Sequence, residues 1–168
     1  CSNREIAEAW DAYQVPVWLY TFSFNLGVLD RLSGFGDFHG ADVLFVFRRF
    51  LWLPEVASLH GAYDMADIIS CKWTTFAHAA SPNGNGSETW PPNCDHVHPK
   101  YAAWPRYAHS SRQYYSLQYP PRVVGLRANN TWPDDEFPSD QRCDVWKQQD
   151  FPWRGVPSGV SPGESLMV

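Results

Sequence analysis

The sequence predicts an α/β fold, and three observations carry that prediction. One run, Val17 to Phe24 (VWLYTFSF), is apolar on both alternating faces, as in a strand buried in a sheet covered on both sides. A long helical pattern follows, with Met65, Ile68, Ile69, Trp73 and Phe76 marking one face between about Tyr63 and Ala79. Two short β-patterned runs, Tyr114 to Tyr119 and Arg122 to Leu126, then flank Pro120-Pro121.

The remaining elements fall into place around these. Ser2-Asn3-Arg4-Glu5 reads as a capping box, and Ile6, Ala9, Trp10 and Tyr13 follow at helical spacing, so an amphipathic helix opens the chain until Pro16 resets the geometry. After the first strand, glycines and small polar residues between positions 25 and 40 make a loop that contains His39. Leu44 to Phe50 and Trp52-Leu53 are apolar enough to be expected in the interior beneath it. Ser81 to Gly86 (SPNGNG) ends the long helix, and Ser87 to Pro105 has the prolines and irregular pattern of a surface insertion. A last helix is expected from Ser139, with Cys143 and Trp146 facing inward, and the Pro-, Gly- and Ser-rich tail from Pro152 looks mobile. The organisation expected is one domain over residues 1–150 and a tail over 151–168.

Composition narrows the function classes. Of 168 residues 44% are hydrophobic and 18% charged, with nine Trp, eight Tyr and ten Phe, which is the composition of folded material. A net charge of −5 without a Lys/Arg cluster argues against nucleic acid as a partner. No apolar run approaches a membrane span, and the N-terminus has neither a basic nor an apolar leader region. The start at Cys1 instead of Met leads us to expect a longer gene product. Four cysteines and two N-x-S/T sequons, at Asn85 and Asn129, favour an oxidising, secretory context.

His39 sits in DFHGADVLFVF, on a Gly-bounded loop after the buried strand, where an imidazole can take a proton and return it near neutral pH. Taken alone, such a histidine is more often a structural hydrogen-bonder. Its surroundings are more specific. VPVWLYTFSFN (15–25), FGDFHGADVLFVF (35–47), MADIISCKWTTFAHAASPNG (65–84), WPRY (104–107) and RCDVW (142–146) occur in this order. From residue 1 to about 150 the chain thereby resembles the C-terminal part of the type-B carboxylesterases, the family that includes the cholinesterases.

The resemblance implies an α/β-hydrolase fold, of which this chain would hold the last core strands, the catalytic-histidine loop, the long helix and the C-terminal helix. It implies that His39 is the triad histidine, the base that activates the serine and then protonates the leaving alcohol. Asp42 matches an acidic position three residues later, with support of the loop as its implied role and a surface carboxylate as the plain alternative. Triad order in this fold is Ser, acid, His, so the serine and acid are expected upstream of Cys1. Asp30, Asp37, Glu5 and Glu8 do not match the acid position. Gly159-Val160-Ser161-Pro162-Gly163 satisfies G-x-S-x-G, but prolines flank it and it follows the histidine, so Ser161 reads as a tail serine.

The resemblance also pairs Cys1 with Cys143 as a disulfide. Cys71 and Cys94 have no family match and leave two readings, a second disulfide from the long helix to the insertion, or a metal site using Cys94, His96 and His98. The zinc spacing is unlike established patterns, so no metal and no cofactor is expected. The function implied is a secreted serine hydrolase of small carboxylic esters, whose fold is completed by an N-terminal part. The alternative is a non-catalytic, neuroligin-type adhesion or binding ectodomain, because fold alone does not decide function.

Overall fold

The fold comes from a computed structural model, in which residues 2–27, 40–86, 90–98 and 100–125 are described. The loop from Val28 to His39, the expected helix from Ser139, the tail, and the residues Cys1, Asn129, Cys143 and Ser161 lie outside them. The elements are α1 (Ser2–Ala12), β1 (Tyr20–Phe22), α2 (Ala41–Val46), a 3-10 turn (Arg49–Trp52), α3 (Pro54–Ala57), α4 (Ala62–Ala79), β2 (Gln113–Leu117) and β3 (Arg122–Gly125). Together β1, β2 and β3 make a mixed three-stranded sheet in that order.

Parallel pairing of β1 with β2, Tyr20 opposite Tyr115, requires a crossover, and the chain between them runs through α2, α3 and α4. The return to β3 is antiparallel, with Gln113 opposite Gly125. Regular strand in β1 is shorter than the apolar run, because its flanks bond irregularly. Val17 O accepts from Tyr107 N at 2.8 Å, Leu19 O accepts from both Tyr115 N and the Trp104 indole, and Ser23 N donates to Leu117 O. Both faces of the run are used as its alternation requires. Trp18, Tyr20, Phe22 and Phe24 join a core with Phe45, Phe50, Met65 and Ile69, while Val17 and Leu19 pack with Ala7, Tyr107 and Tyr114.

Gly61, at φ 80°, turns the chain into α4, where Met65, Ile68 and Ile69 are fully buried at i, i+3, i+4 spacing. Burying each is worth about 1.5–3 kcal/mol. The expected face is deep only over its first half: Trp73 is half-buried, and Phe76 remains exposed at the rim, edge-on to Trp18 at 5.6 Å. Ala80, also left-handed, ends the helix by donating to Phe76 O.

Two expectations are corrected. The apolar stretch from Leu44 to Leu53 is not uniformly interior: Phe45 and Phe50 are buried and stacked at 5.0 Å, but Phe47, Leu51 and Trp52 are exposed. Helical rotation through α2 and the 3-10 turn leaves only one side for the core. On α1 the buried side chains are Arg4 and Ala7, and the Ile6–Trp10 stripe faces outward. The helix is held by its polar flank instead, where Asp11 accepts from His109 N at 2.8 Å and Glu8 accepts from the Tyr107 hydroxyl.

The insertion is irregular, as expected, yet it is not all surface. Cys94 and Val97 are buried against Ile68 and Cys71. Of the two readings of Cys71 and Cys94, the structure has the disulfide, which spans 23 residues of sequence and fastens this segment to α4. Closing such a loop stabilises by about 3 kcal/mol in the chain-entropy model. With both sulfurs oxidised no thiolate is offered to a metal, and among the described residues no group of three His, Cys, Asp or Glu is arranged to hold one.

Asn83 adds a second fastening. Its Nδ2 donates to Trp104 O at 2.7 Å, its Oδ1 accepts from Trp104 N and from Lys72 Nζ, and its carbonyl accepts from the Trp90 indole. Trp90 stacks on His98 at 4.5 Å, and His98 Nε2 shares a 2.9 Å hydrogen bond with the buried Thr75 hydroxyl. Burial, and then the charge of Lys72, push the His98 imidazole down to about 4, with Asp95 opposing.

That shift makes a prediction about acid. Between pH 6.5 and 4 the unfolded chain binds a proton at His98 that the folded chain does not, so stability falls as pH falls through this window. The loss expected, discounted for partial exposure, is about 1 kcal/mol. Urea midpoints at pH 7 and pH 4.5 check it: His98→Gln, which can still bond Thr75, should lose less on acidification than the unaltered chain. Equal losses would show that His98 is not responsible.

Candidate functional site

In open α/β sheets ligands meet the carboxyl ends of the parallel strands. Here those ends are Phe22 and Leu117, and a cleft of about 410 Å³ opens beyond them. Ser23, Phe24, Asn25, His60, Gln118 and Tyr119 line it. The chain leaves β1 along this cleft, through Ser23, Phe24 and Asn25. Asn25 Oδ1 accepts from Gly27 N at 2.7 Å, a local turn made by an Asn side chain, and Gly27 takes a left-handed φ of 64°.

His39 itself lies outside the described residues, but its immediate successor does not. Gly40 has φ 83° and starts α2, and among the described residues nothing stands within 4 Å of where a Cβ would be. A left-handed turn here suits glycine, which has no Cβ to strain. Asp42, in the first turn of α2, accepts a hydrogen bond from the Tyr20 hydroxyl at 2.9 Å. Tyr20 is on β1 and packs edge-on against Trp73 and Trp104, so the bond ties the start of α2 to the strand. Burial and then Asp42 push the phenol's pKa upward, so Tyr20 stays a donor. Buried Ala41 and Phe45 fix the inner side of α2, and an ion pair of Arg48 with Asp67 joins the turn after it to α4. The chain on both sides of residues 28–39 is therefore anchored to rigid elements.

Tyr119 forms the far wall of the cleft. Its hydroxyl donates to Asp64 on α4, its ring meets His60 edge-on at 5.3 Å, and it presses on the Gly61 backbone. The Asp64 hydrogen bond pushes the phenol up to about 12. His60 is exposed and lines the cleft, a position that its sequence setting, Leu59-His60-Gly61, did not signal. Only the pairing of β1 with β2 brings Gln118 and Tyr119 beside Asn25.

The other described candidate residues do not line this cleft. Glu8, on α1, accepts from the Tyr107 hydroxyl, and Cys71, on α4, is in the disulfide with Cys94. Asn85 is exposed in the turn after α4. Asp30, Asp37, Asn129, Ser161 and the Cys1 and Cys143 pair fall outside the described residues.

Compared with known proteins, residues 1–146 match the sequence model of the carboxylesterase family. No curated protein matches the chain.

Proposed function

Because the chain belongs to the carboxylesterase family, we propose that it forms the C-terminal part of an α/β-hydrolase acting on carboxylic esters, with His39 as the triad histidine. The observation that carries this reading is the HGAD block, which lies within the family match and whose last two residues, Ala41 and Asp42, open α2. The serine and the acid belong to a segment upstream of Cys1, in keeping with the order Ser, acid, His.

In the complete enzyme His39 takes the serine Oγ proton as the oxygen attacks the ester carbonyl, and the acid stabilises the imidazolium. The tetrahedral adduct collapses with the proton passing from His39 to the leaving alcohol. Water then repeats the cycle on the acyl-enzyme, releasing the carboxylic acid and restoring the serine. Asp42 acts at a distance from the chemistry, holding α2 to Tyr20 so that the loop end at Gly40 stays fixed.

We place the protein in the secretory pathway; the Cys71–Cys94 disulfide and the exposed Asn85 sequon support that, since both belong to an oxidising, glycosylating compartment. Glycans are proposed on Asn85 and Asn129, and a second disulfide between Cys1 and Cys143.

Hydrolysis of 4-nitrophenyl butyrate tests the proposal. The 168-residue chain alone is expected to give no turnover above the uncatalysed rate, and a polypeptide joining it to its upstream segment is expected to turn over. Turnover by the chain alone that vanishes in His39→Ala would contradict the assignment of serine and acid to the upstream segment.

A further inference from the structure

Among the described residues, the outward stripe of α1 has no partner in the core. Ile6 is 53% exposed and Trp10 48%, and Tyr13, which continues the helix by donating from its N–H to Ala9 O at 3.2 Å, is 69% exposed. Their spacing puts the three on one side, roughly a third of a turn round the helix from the buried Ala7. An apolar stripe at the helical period is a packing face, yet none of the three joins a core cluster of the described residues.

The last described residue, Gly125, lies close to this helix. It ends β3, and Val124 beside it packs on the cluster that contains Ala7 of α1. Residues 126–138 then lead to the segment from Ser139, whose Cys143 and Trp146 share one face at helical spacing. Extended, that lead spans roughly 40 Å, against about 16 Å for the whole of α1, so the segment can reach any part of the stripe. The family match runs to residue 146, which puts Cys143 and Trp146 with the domain and not with the tail beyond it.

We infer that this stripe is the docking face for the chain's own segment from Ser139 to Asp150, with Trp146 against Ile6 and Trp10. A segment tethered by a short lead has a high effective concentration at the face, which favours it over a second copy of the chain. Trp146 and Trp10 bring large apolar rings to the contact, and such rings dominate the energetics of packed surfaces. With the two elements side by side in the same direction, Trp146 lies just beyond Cys143 as Ile6 lies just beyond Cys1, so the contact agrees with the proposed Cys1–Cys143 disulfide. The inference shares only that disulfide with the proposed function, and it is read without ester turnover, so an inactive protein would count against the function and not against this contact.

Photo-crosslinking in the complete polypeptide that carries this chain tests the inference. With Ile6→benzoylphenylalanine, irradiation, reduction and trypsin should yield the peptide bearing position 6 joined to Cys143–Lys147, which cuts after Arg142 and Lys147 release. Reduction opens any Cys1–Cys143 disulfide, so that bridge alone cannot give the product. Hydroxyl-radical footprinting gives a second reading. Trp10 should be shielded in the unaltered polypeptide, and Trp146→Ala should raise its oxidation several-fold. A crosslink to the upstream segment or to a second copy in place of this one, no crosslink, a Trp10 already reactive in the unaltered polypeptide, or an oxidation rate that Trp146→Ala leaves unchanged would each overturn it.

Discussion

His39→Ala, made in the polypeptide that also carries the serine and acid, is expected to lower kcat for ester hydrolysis by roughly 10⁴- to 10⁶-fold, the range typical of a lost triad member. The serine hydroxyl is a weak nucleophile at neutral pH without a base, and the leaving alkoxide is a poor leaving group without an acid. The imidazole serves both, so its removal weakens interactions made only in the transition state. KM should change far less than kcat. Steady-state kinetics with a nitrophenyl ester checks this. A loss below about tenfold would mean that another group carries the proton.

Gly61→Ala is expected to cost about 2–5 kcal/mol of stability, well beyond an ordinary surface change. At φ 80° an alanine is strained by about 1–2 kcal/mol for its left-handed conformation alone. Its Cβ would also lie 2.3 Å from Cδ1 of Tyr119 and 2.4 Å from Cγ, the inner atoms of a ring that cannot simply swing away. Asp64 holds that ring through its hydroxyl, and His60 packs against it. Displacing it would open the cleft wall and loosen the start of α4. Gly40→Ala is the control, since Gly40 has φ 83° but no described residue within 4 Å of where the Cβ would be, and should cost only the conformational strain. Urea unfolding of both variants measures the difference. Equal midpoint shifts would show that Tyr119 yields without penalty.

How much of this was written in the sequence depends on the range of the interaction. The two-faced run from Val17 to Phe24 could be read because strand alternation is local, and both faces indeed meet cores. The long helix could be read because Met65, Ile68 and Ile69 repeat at its own period, and its bounds were found to within a residue. The stretch around Phe47 and Trp52 could not, because two short apolar runs on either side of Arg48-Arg49 are too brief to show a period that distinguishes helix from strand. Nor could the outward stripe of α1, since amphipathicity shows that a face exists without saying what covers it.

At the site, the HGAD block marked His39 and Asp42 through the family resemblance, but the Tyr20 partner of Asp42 is set by folding across 22 residues. His60 and Tyr119 reach the cleft by sheet pairing, for which a single chain carries no local signal. Lys72 looked like any helical lysine. Its burial beside Asn83 follows from how the segment up to Trp104 packs back onto α4.

Sequencing the coding region upstream of Cys1 tests the central assignment of His39 most directly. A reading frame that continues into a strand pattern, then G-x-S-x-G opening a helix, then an acidic residue after a later strand, is the predicted result. A frame that keeps the fold while replacing that serine would contradict it, leaving His39 without a nucleophile to activate and favouring a binding ectodomain.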